Sequence, residues 1–162
     1  MIFKLLCILC LILLLATLIN TKEDHTKENK MSFKEAMDLV ELPVVTFYQG
    51  KEKFNFLLDT GSNYSHISTE AAKRLKGEVE NIEVEHSGVG QGATSNSVIK
   101  TTLEYKSRVY NTSLLIGEHL DIAFANIKAE TGVTIHGIIG TGFMSDNCYI
   151  LDFECYVAYS KI

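Results

Sequence analysis

From residue 42 onward, the chain is a succession of short segments rich in Val, Ile, Phe and Tyr, separated by turn residues. Several of them alternate apolar and polar residues, which is the period of a strand with one buried face. We expect strands at Leu42–Tyr48, Lys53–Leu58, Tyr64–Ile67, Val79–Glu85, Val98–Tyr105, Val109–Ile116, Leu120–Ile127, Thr134–Ile139, Tyr149–Phe153 and Tyr156–Tyr159. Helices are few: one at 68–75 and one turn near 143–145. This pattern predicts an all-β sandwich or barrel with one or two short helices.

The size and charge of the chain limit the functions that it can have. Its 162 residues suggest one folded domain. The formal net charge is −5, and no stretch forms a basic patch. Nucleic acid is therefore not an expected partner.

The N-terminus carries a separate apolar segment. Leu5 to Ile19 is apolar throughout except for Thr17, and Lys4 precedes it. Counted from Ile2, the run has about the length needed to cross a bilayer. We expect residues 1–20 to be an uncleaved, single-pass membrane anchor; a cleaved signal segment is the alternative. Lysines lie on both sides of the run, so the side of the membrane that holds the domain stays open.

A polar stretch separates this segment from the folded part. Residues 21–34 are mixed in charge and without periodicity, which is typical of a tether. The alternative is a short exposed helix that runs into 33–37. The folded domain is then expected to occupy residues 35–162.

One turn stands out among the predicted strands. The apolar run Phe54–Leu58 leads directly into Asp59-Thr60-Gly61-Ser62, and Gly137-Ile138-Ile139-Gly140 follows at domain distance. Taken alone, the first motif could be a plain hairpin turn, because Asp and Gly are common turn residues. Together the two motifs resemble the active-site half of the aspartic peptidases, specifically the single-domain, retropepsin-like kind. The resemblance spans Leu42 to Tyr159 and implies an acid-protease barrel.

The resemblance implies a specific chemistry for Asp59. Two carboxylates held close together share one proton, so one can act as a general base on water while the other polarises the peptide carbonyl. Two-domain pepsins carry two such turns in one chain, but this chain has only one. The simplest completion is a symmetric homodimer in which Asp59 from each subunit meets on the two-fold axis.

The resemblance also assigns roles to the residues after Asp59. Thr60 would reach across the axis to the partner's turn. Gly61 would let backbone N–H groups approach the carboxylates. Ser62 would donate a hydrogen bond to Asp59 and favour its ionised form.

Two further segments acquire roles in the same way. The glycine-spaced loop would be the flap that closes over substrate, through Gly88, Val89, Gly90 and Gly92. Packing beneath the catalytic turn would come from Gly137, Ile138, Ile139 and Gly140.

Other reactive residues are given structural interpretations. Asp152 is expected to be a strand-end acid, and Cys148 and Cys155 are expected to be free, buried thiols. The histidines are scattered without metal-ligand spacing, so neither a metal nor another cofactor is expected.

The sequence thus predicts an aspartic endopeptidase: a membrane-attached homodimer that acts on a peptide or protein substrate. Two other functions stay open. One is a catalytically silent protease-fold module that holds peptides, and the other is a structural β-domain at a membrane. Cleavage of a mixed peptide pool distinguishes the first function from the other two.

Overall fold

Ten strands form two sheets in the part of the chain that the structure describes. The computed structural model describes residues 30–87 and 92–160, and for 83–87 and 92–96 only the backbone. The predicted anchor at 1–20 and the tether up to residue 29 lie outside these ranges. The strands are β1 (Lys30–Ser32), β2 (Val44–Gln49), β3 (Glu52–Leu58), β4 (His66–Ile67), β5 (Gly77–Ser87), β6 (Gly92–Tyr105), β7 (Arg108–Ile116), β8 (Gly137–Ile139), β9 (Tyr149–Asp152) and β10 (Val157–Ser160).

The larger sheet closes into a barrel. Its strand order is β2-β3-β8-β4-β7-β6-β5, and β2 also pairs with β6 through Tyr48 and Glu104. Most neighbours are antiparallel, but β8 runs parallel to β3 and β4 runs parallel to β7. The predicted all-β barrel is confirmed.

Alternation along β3 explains how the barrel is filled. Phe54, Phe56 and Leu58 point into the main core, where both phenylalanines are fully buried. Phe47 of the paired strand meets Phe56 edge to face, with ring centroids 5.7 Å apart. This period-2 burial fixes the register of the β2–β3 hairpin, because a slip of one residue would expose the aromatic side chains. The last core residue of β3, Leu58, immediately precedes Asp59.

The smaller sheet holds the two ends of the described chain together, in the order β1-β10-β9. Met31 and Phe33 are each 1% exposed, and Lys30 pairs with Tyr159. The prediction of a free tether through residue 34 is therefore wrong for residues 30–34. Two buried apolar side chains and a strand partner distant in sequence stabilise a stretch that looks polar on its own.

Four helices lie among the described residues, more than the one or two expected. They are α1 (Lys34–Val40), α2 (Thr69–Ala72), α3 (His119–Thr131) and α4 (Thr141–Asp146). The alternative to a tether, a helix that runs from the polar stretch into 33–37, is present only from Lys34 onward as α1, because residues 30–32 form β1. Ser68 caps α2 by accepting from the N–H of Ala71 at 3.3 Å, as its position before the helix predicts. No helix in the described ranges is both long enough and apolar enough to cross a membrane.

Helix α3 corrects the strand predicted at 120–127. Leu120, Ile122 and Phe124 alternate, which resembles a strand, but Leu120 and Phe124 are also four residues apart and share one helical face. That face packs in a second core cluster, whereas Ile122 is 73% exposed. Gly132 ends the helix in the left-handed conformation at φ 76° and donates to the carbonyl of Lys128.

Candidate active site

Asp59 lies in the tight turn after β3, and hydrogen bonds fix it from two sides. Its backbone N–H donates to the carbonyl of Ile139 at 3.0 Å. Its Oδ1 accepts from the backbone N–H of Gly61 at 2.8 Å. A carboxylate that binds the backbone two residues ahead of it forms an Asx turn, which holds the side chain in one orientation. The residue is half-buried, so the carboxylate sits at the surface of the barrel and not in its core.

Gly61 has little space for a side chain. A Cβ at this position would lie 3.1 Å from Oδ1 of Asp59. The close approach of a backbone N–H to the carboxylate, which the sequence predicts for Gly61, is present within a single chain.

Strand β8 runs directly beneath the turn. It pairs in parallel with the end of β3, with Leu58 opposite Ile139. Gly137 is forced by crowding, because a Cβ there would lie 2.3 Å from the carbonyl oxygen of His66. Gly140 is forced in the same way by the carbonyl oxygen of Tyr64, at 2.4 Å. The two glycines let β8 pass between β3 and the chain that leaves the Asp59 turn.

The two isoleucines of β8 pack on opposite faces of the strand. Ile139 is fully buried in the main core, whereas Ile138 packs against the second cluster together with Leu57. Apolar contacts thus support the strand under Asp59 from both sides.

Ser62 makes a different hydrogen bond from the one expected. Its Oγ donates to the carbonyl of Tyr64 at 2.7 Å, and not to the carboxylate of Asp59. The hydroxyl therefore stabilises the chain that leaves the turn. The motif alone could not reveal this, because a serine at this position has both a carboxylate and a free carbonyl within reach.

The start of α4 adds contacts that the sequence did not reveal. Thr141 donates to the carbonyl of Ser62 twice, through its backbone N–H at 2.8 Å and its Oγ1 at 3.1 Å. The N–H of Gly140 donates to Oγ of the buried Ser65 at 3.1 Å. Ser65 and Thr141 thus tie the two motifs together. The available signal was weak: a hydroxyl residue three positions after the first motif and another directly after the second.

Thr60 lies on the surface at the outer end of the turn, and so does Gly61. An exposed Thr60 fits its expected contact with a second subunit, which a single chain cannot supply. The Asp59 turn thus lies at the accessible end of β3.

Comparison with protein-family models identifies the family. Residues 44–143 match a family model described as aspartyl protease. The chain belongs to the aspartyl protease family. It is also similar to the solved structure of EIAV protease complexed with the inhibitor HBY-793, at 22% identity and a TM-score of 0.48, covering 65% of this chain and 86% of that chain. No curated protein matches the sequence.

The family match covers residues 44–143. The expected flap of this aspartyl protease, from Gly88 to Gly92, lies within that range. Strands β5 and β6 pair antiparallel as far as Ser87 and Gly92. Gly92 is thus the first residue of β6. Gly88, Val89 and Gly90 lie outside the described residues.

Asp152 and Cys155, which the sequence also singled out, lie at the β9–β10 turn, and Cys148 lies just before β9. Oδ1 of Asp152 accepts from the N–H groups of Glu154 and Cys155, both at 2.9 Å. The bond from Cys155 holds the pKa of this carboxyl below its usual range. Asp152 is therefore the structural acid that the sequence predicts. Cys148 and Cys155 are free, but both are exposed, so the prediction that they are buried is wrong.

The described histidines do not form a metal centre. His66 is buried, and its ring meets that of His119 edge to face with centroids 5.8 Å apart. Within residues 30–87 and 92–160, no group of three or more potential ligands is placed to hold a metal ion.

Proposed function

We propose that this aspartyl protease is an active endopeptidase, in which water attacks a peptide bond between Asp59 and Asp59 of the partner subunit. The observation that carries the proposal is the Asp59 turn, closed by the Gly61 N–H and anchored to β8. The sequence Asp-Thr-Gly occurs once in the chain, and an aspartic dyad needs two carboxylates.

The reaction follows from the shared proton. The ionised carboxylate takes a proton from water as the water attacks the carbonyl carbon. The protonated carboxyl donates to the carbonyl oxygen, and a proton later passes to the leaving amine. The Gly61 N–H orients the Asp59 carboxylate, so little reorganisation is needed during the reaction.

Two features of the surface support a homodimer. Thr60 and Gly61 are exposed at the mouth of the turn, where a second subunit would complete the site. Among the described strands, β1 and β9 are outer strands of the smaller sheet, with one strand partner each. Unpaired strand edges are common sites of association between chains.

The test is cleavage of a mixed peptide pool by the full-length protein, with and without a statine-type inhibitor. We expect cleavage that the inhibitor blocks, and we expect Asp59→Asn to abolish it with the fold kept. Asp152→Asn is the matched control, because it also replaces a turn carboxylate with an amide, but outside the site. The Asp152→Asn protein should cleave normally. Activity within tenfold of wild type in Asp59→Asn would refute the assignment. Peptide binding without cleavage by the wild type would instead indicate a silent binding module.

We also propose that residues 1–20 attach the protein to a membrane, with the side of the catalytic domain left open. The apolar run of Leu5 to Ile19 supports this. Release of the full-length chain from membranes by alkaline carbonate would contradict the anchor.

A further inference from the structure

Just before β3 and β8 enter their parallel pairing, a histidine side chain links them. The N–H of His136 donates to the carbonyl of Asn55 at 2.8 Å. In return, the N–H of Asn55 donates to Nδ1 of the His136 ring at 2.9 Å. The next residues in each chain, Phe56 and Gly137, begin the ladder that ends at Leu58 and Ile139. The imidazole therefore accepts a backbone hydrogen bond at the base of the strands that carry Asp59.

The Asn55 side chain ties the same two segments together. Its Nδ2 donates to the carbonyl of Thr134 at 2.8 Å, and its Oδ1 accepts from Oγ1 of Thr46 at 2.8 Å. The Asn55 side chain and backbone thus connect three segments, β2, β3 and the approach to β8. In this network the His136 ring is the part that can gain a proton.

The hydrogen bond from Asn55 defines the tautomer of His136. Because Nδ1 accepts, it carries no proton, and the neutral ring has its proton on Nε2. Nη1 of Arg74 lies 3.5 Å from Nε2, and both atoms then carry hydrogen. A second ring proton would have to go on Nδ1, where it would remove the acceptor of the Asn55 N–H.

The charged groups around the ring oppose a second proton. Arg74 lies over the Phe54 ring and bonds to Glu52 at 3.0 Å, which holds its guanidinium near His136. Lys128 of α3 adds a second positive charge. Burial, Arg74 and Lys128 together lower the pKa of His136 from its ordinary value.

We propose that neutral His136 is a positioning residue that holds β3 in register with β8 beneath the Asp59 turn, and that its protonation loosens this support, so that stability and activity fall toward acid pH.

The direction of the pH effect follows from linkage. The unfolded chain binds the proton at an ordinary histidine pKa of about 6.5, whereas the folded chain binds it only at lower pH. The stability that neutral His136 contributes is therefore complete above about pH 6.5. It is lost as the pH falls from there through the folded-state pKa.

Thermal unfolding of the full-length chain in a mild detergent, followed by circular dichroism from pH 8 to pH 5, tests the proposal. His136→Asn places an oxygen acceptor where Nδ1 lies but cannot titrate, and His136→Leu removes the acceptor. Below pH 6.5, the melting temperature of the wild type should fall more than that of His136→Asn. His136→Leu should be less stable than His136→Asn at every pH. His119→Asn, which removes an exposed histidine, should keep the wild-type pH dependence. Parallel curves for wild type and His136→Asn would overturn the proposal.

A second measurement uses only the wild-type chain, so it does not depend on whether a variant folds. In an NMR titration of the wild-type chain, the Asn55 amide signal should move with the same midpoint as the His136 ring signals, below pH 6.5. An Asn55 amide signal that does not shift as His136 titrates would contradict the link.

The effect on catalysis rests on the proposed peptidase function. His136→Asn should retain at pH 5 a larger share of its neutral-pH kcat/KM than the wild type does. An identical acid limb in both proteins would overturn the catalytic part of the proposal. If neither the wild type nor His136→Asn cleaves any peptide, but the unfolding and NMR results are as expected, the peptidase function is refuted. The pH-dependent link between His136 and Asn55 is then still supported.

Discussion

The hydroxyl of Ser62 shows how one hydrogen bond decides between a catalytic and a structural role. As a donor to Asp59, the hydroxyl would favour the ionised carboxylate, and its loss would move the acid limb of the pH–activity profile upward. The observed acceptor is instead the carbonyl of Tyr64, at 2.7 Å. This contact therefore supports the backbone that leaves the turn and not the charge of the carboxylate.

We therefore expect Ser62→Ala to cost stability without moving the acid limb. A typical intramolecular hydrogen bond contributes about 0.5–1.5 kcal/mol, so the free energy of unfolding should fall by about that amount. Denaturant unfolding and the hydrolysis rate of one peptide from acid to neutral pH measure the two effects. Ser62→Thr, which keeps the hydroxyl, is the control. An upward shift of the limb in Ser62→Ala alone would show that the hydroxyl reaches the carboxylate in the working enzyme.

At the scale of elements, α3 supports the strand that precedes Asp59 from outside the barrel. Leu120 and Phe124 pack in the second core cluster, and Leu57 of β3 and Ile138 of β8 pack against that cluster. A helix on the outer face of these two strands covers apolar side chains that would otherwise meet water. The strands below Asp59 are therefore covered on the barrel side by the main core and on the outer side by the second cluster.

This arrangement predicts unequal effects of two similar truncations in α3. Phe124→Ala should lower the free energy of unfolding by about 3–5 kcal/mol, because it leaves a cavity in a packed cluster. Ile122→Ala should change it by less than about 0.5 kcal/mol, because the side chain is 73% exposed. Chemical denaturation measures both. In a strand, residues 122 and 124 would share one face, so comparable losses would contradict the helix.

Sequence reasoning succeeded where a local pattern had one physical interpretation. The apolar run before Asp59 could only end at a turn. Gly137 and Gly140 lie where a Cβ atom would come within 2.3–2.4 Å of a backbone carbonyl oxygen. It failed at residues 120–127 because Leu120, Ile122 and Phe124 fit two periods at once. The roles of Ser62 and His136 also escaped it, because they depend on which carbonyl or N–H tertiary folding brings within reach.

At the scale of the whole molecule, the sheet formed by the chain ends changes where the domain begins. Because Met31 and Phe33 are buried and β1 pairs with β10, the fold includes residues at least as early as Lys30. A soluble form for enzymology should therefore begin near residue 21, so that β1 is kept and only the predicted anchor is lost.

With such a shortened chain, peptidase activity should rise faster than linearly with protein concentration at low concentration, because one Asp59 per chain makes the dimer the enzyme. In the full-length protein a membrane anchor would confine subunits to a plane and raise their effective concentration, which weakens this dependence. Activity assays over a dilution series, with sedimentation at each concentration, measure the effect. Excess Asp59→Asn chain should inhibit the wild type by forming mixed dimers with one intact aspartate, whereas excess Asp152→Asn chain should not. Constant specific activity in samples that sediment as monomers, together with no inhibition by Asp59→Asn, would show that a single chain completes the site.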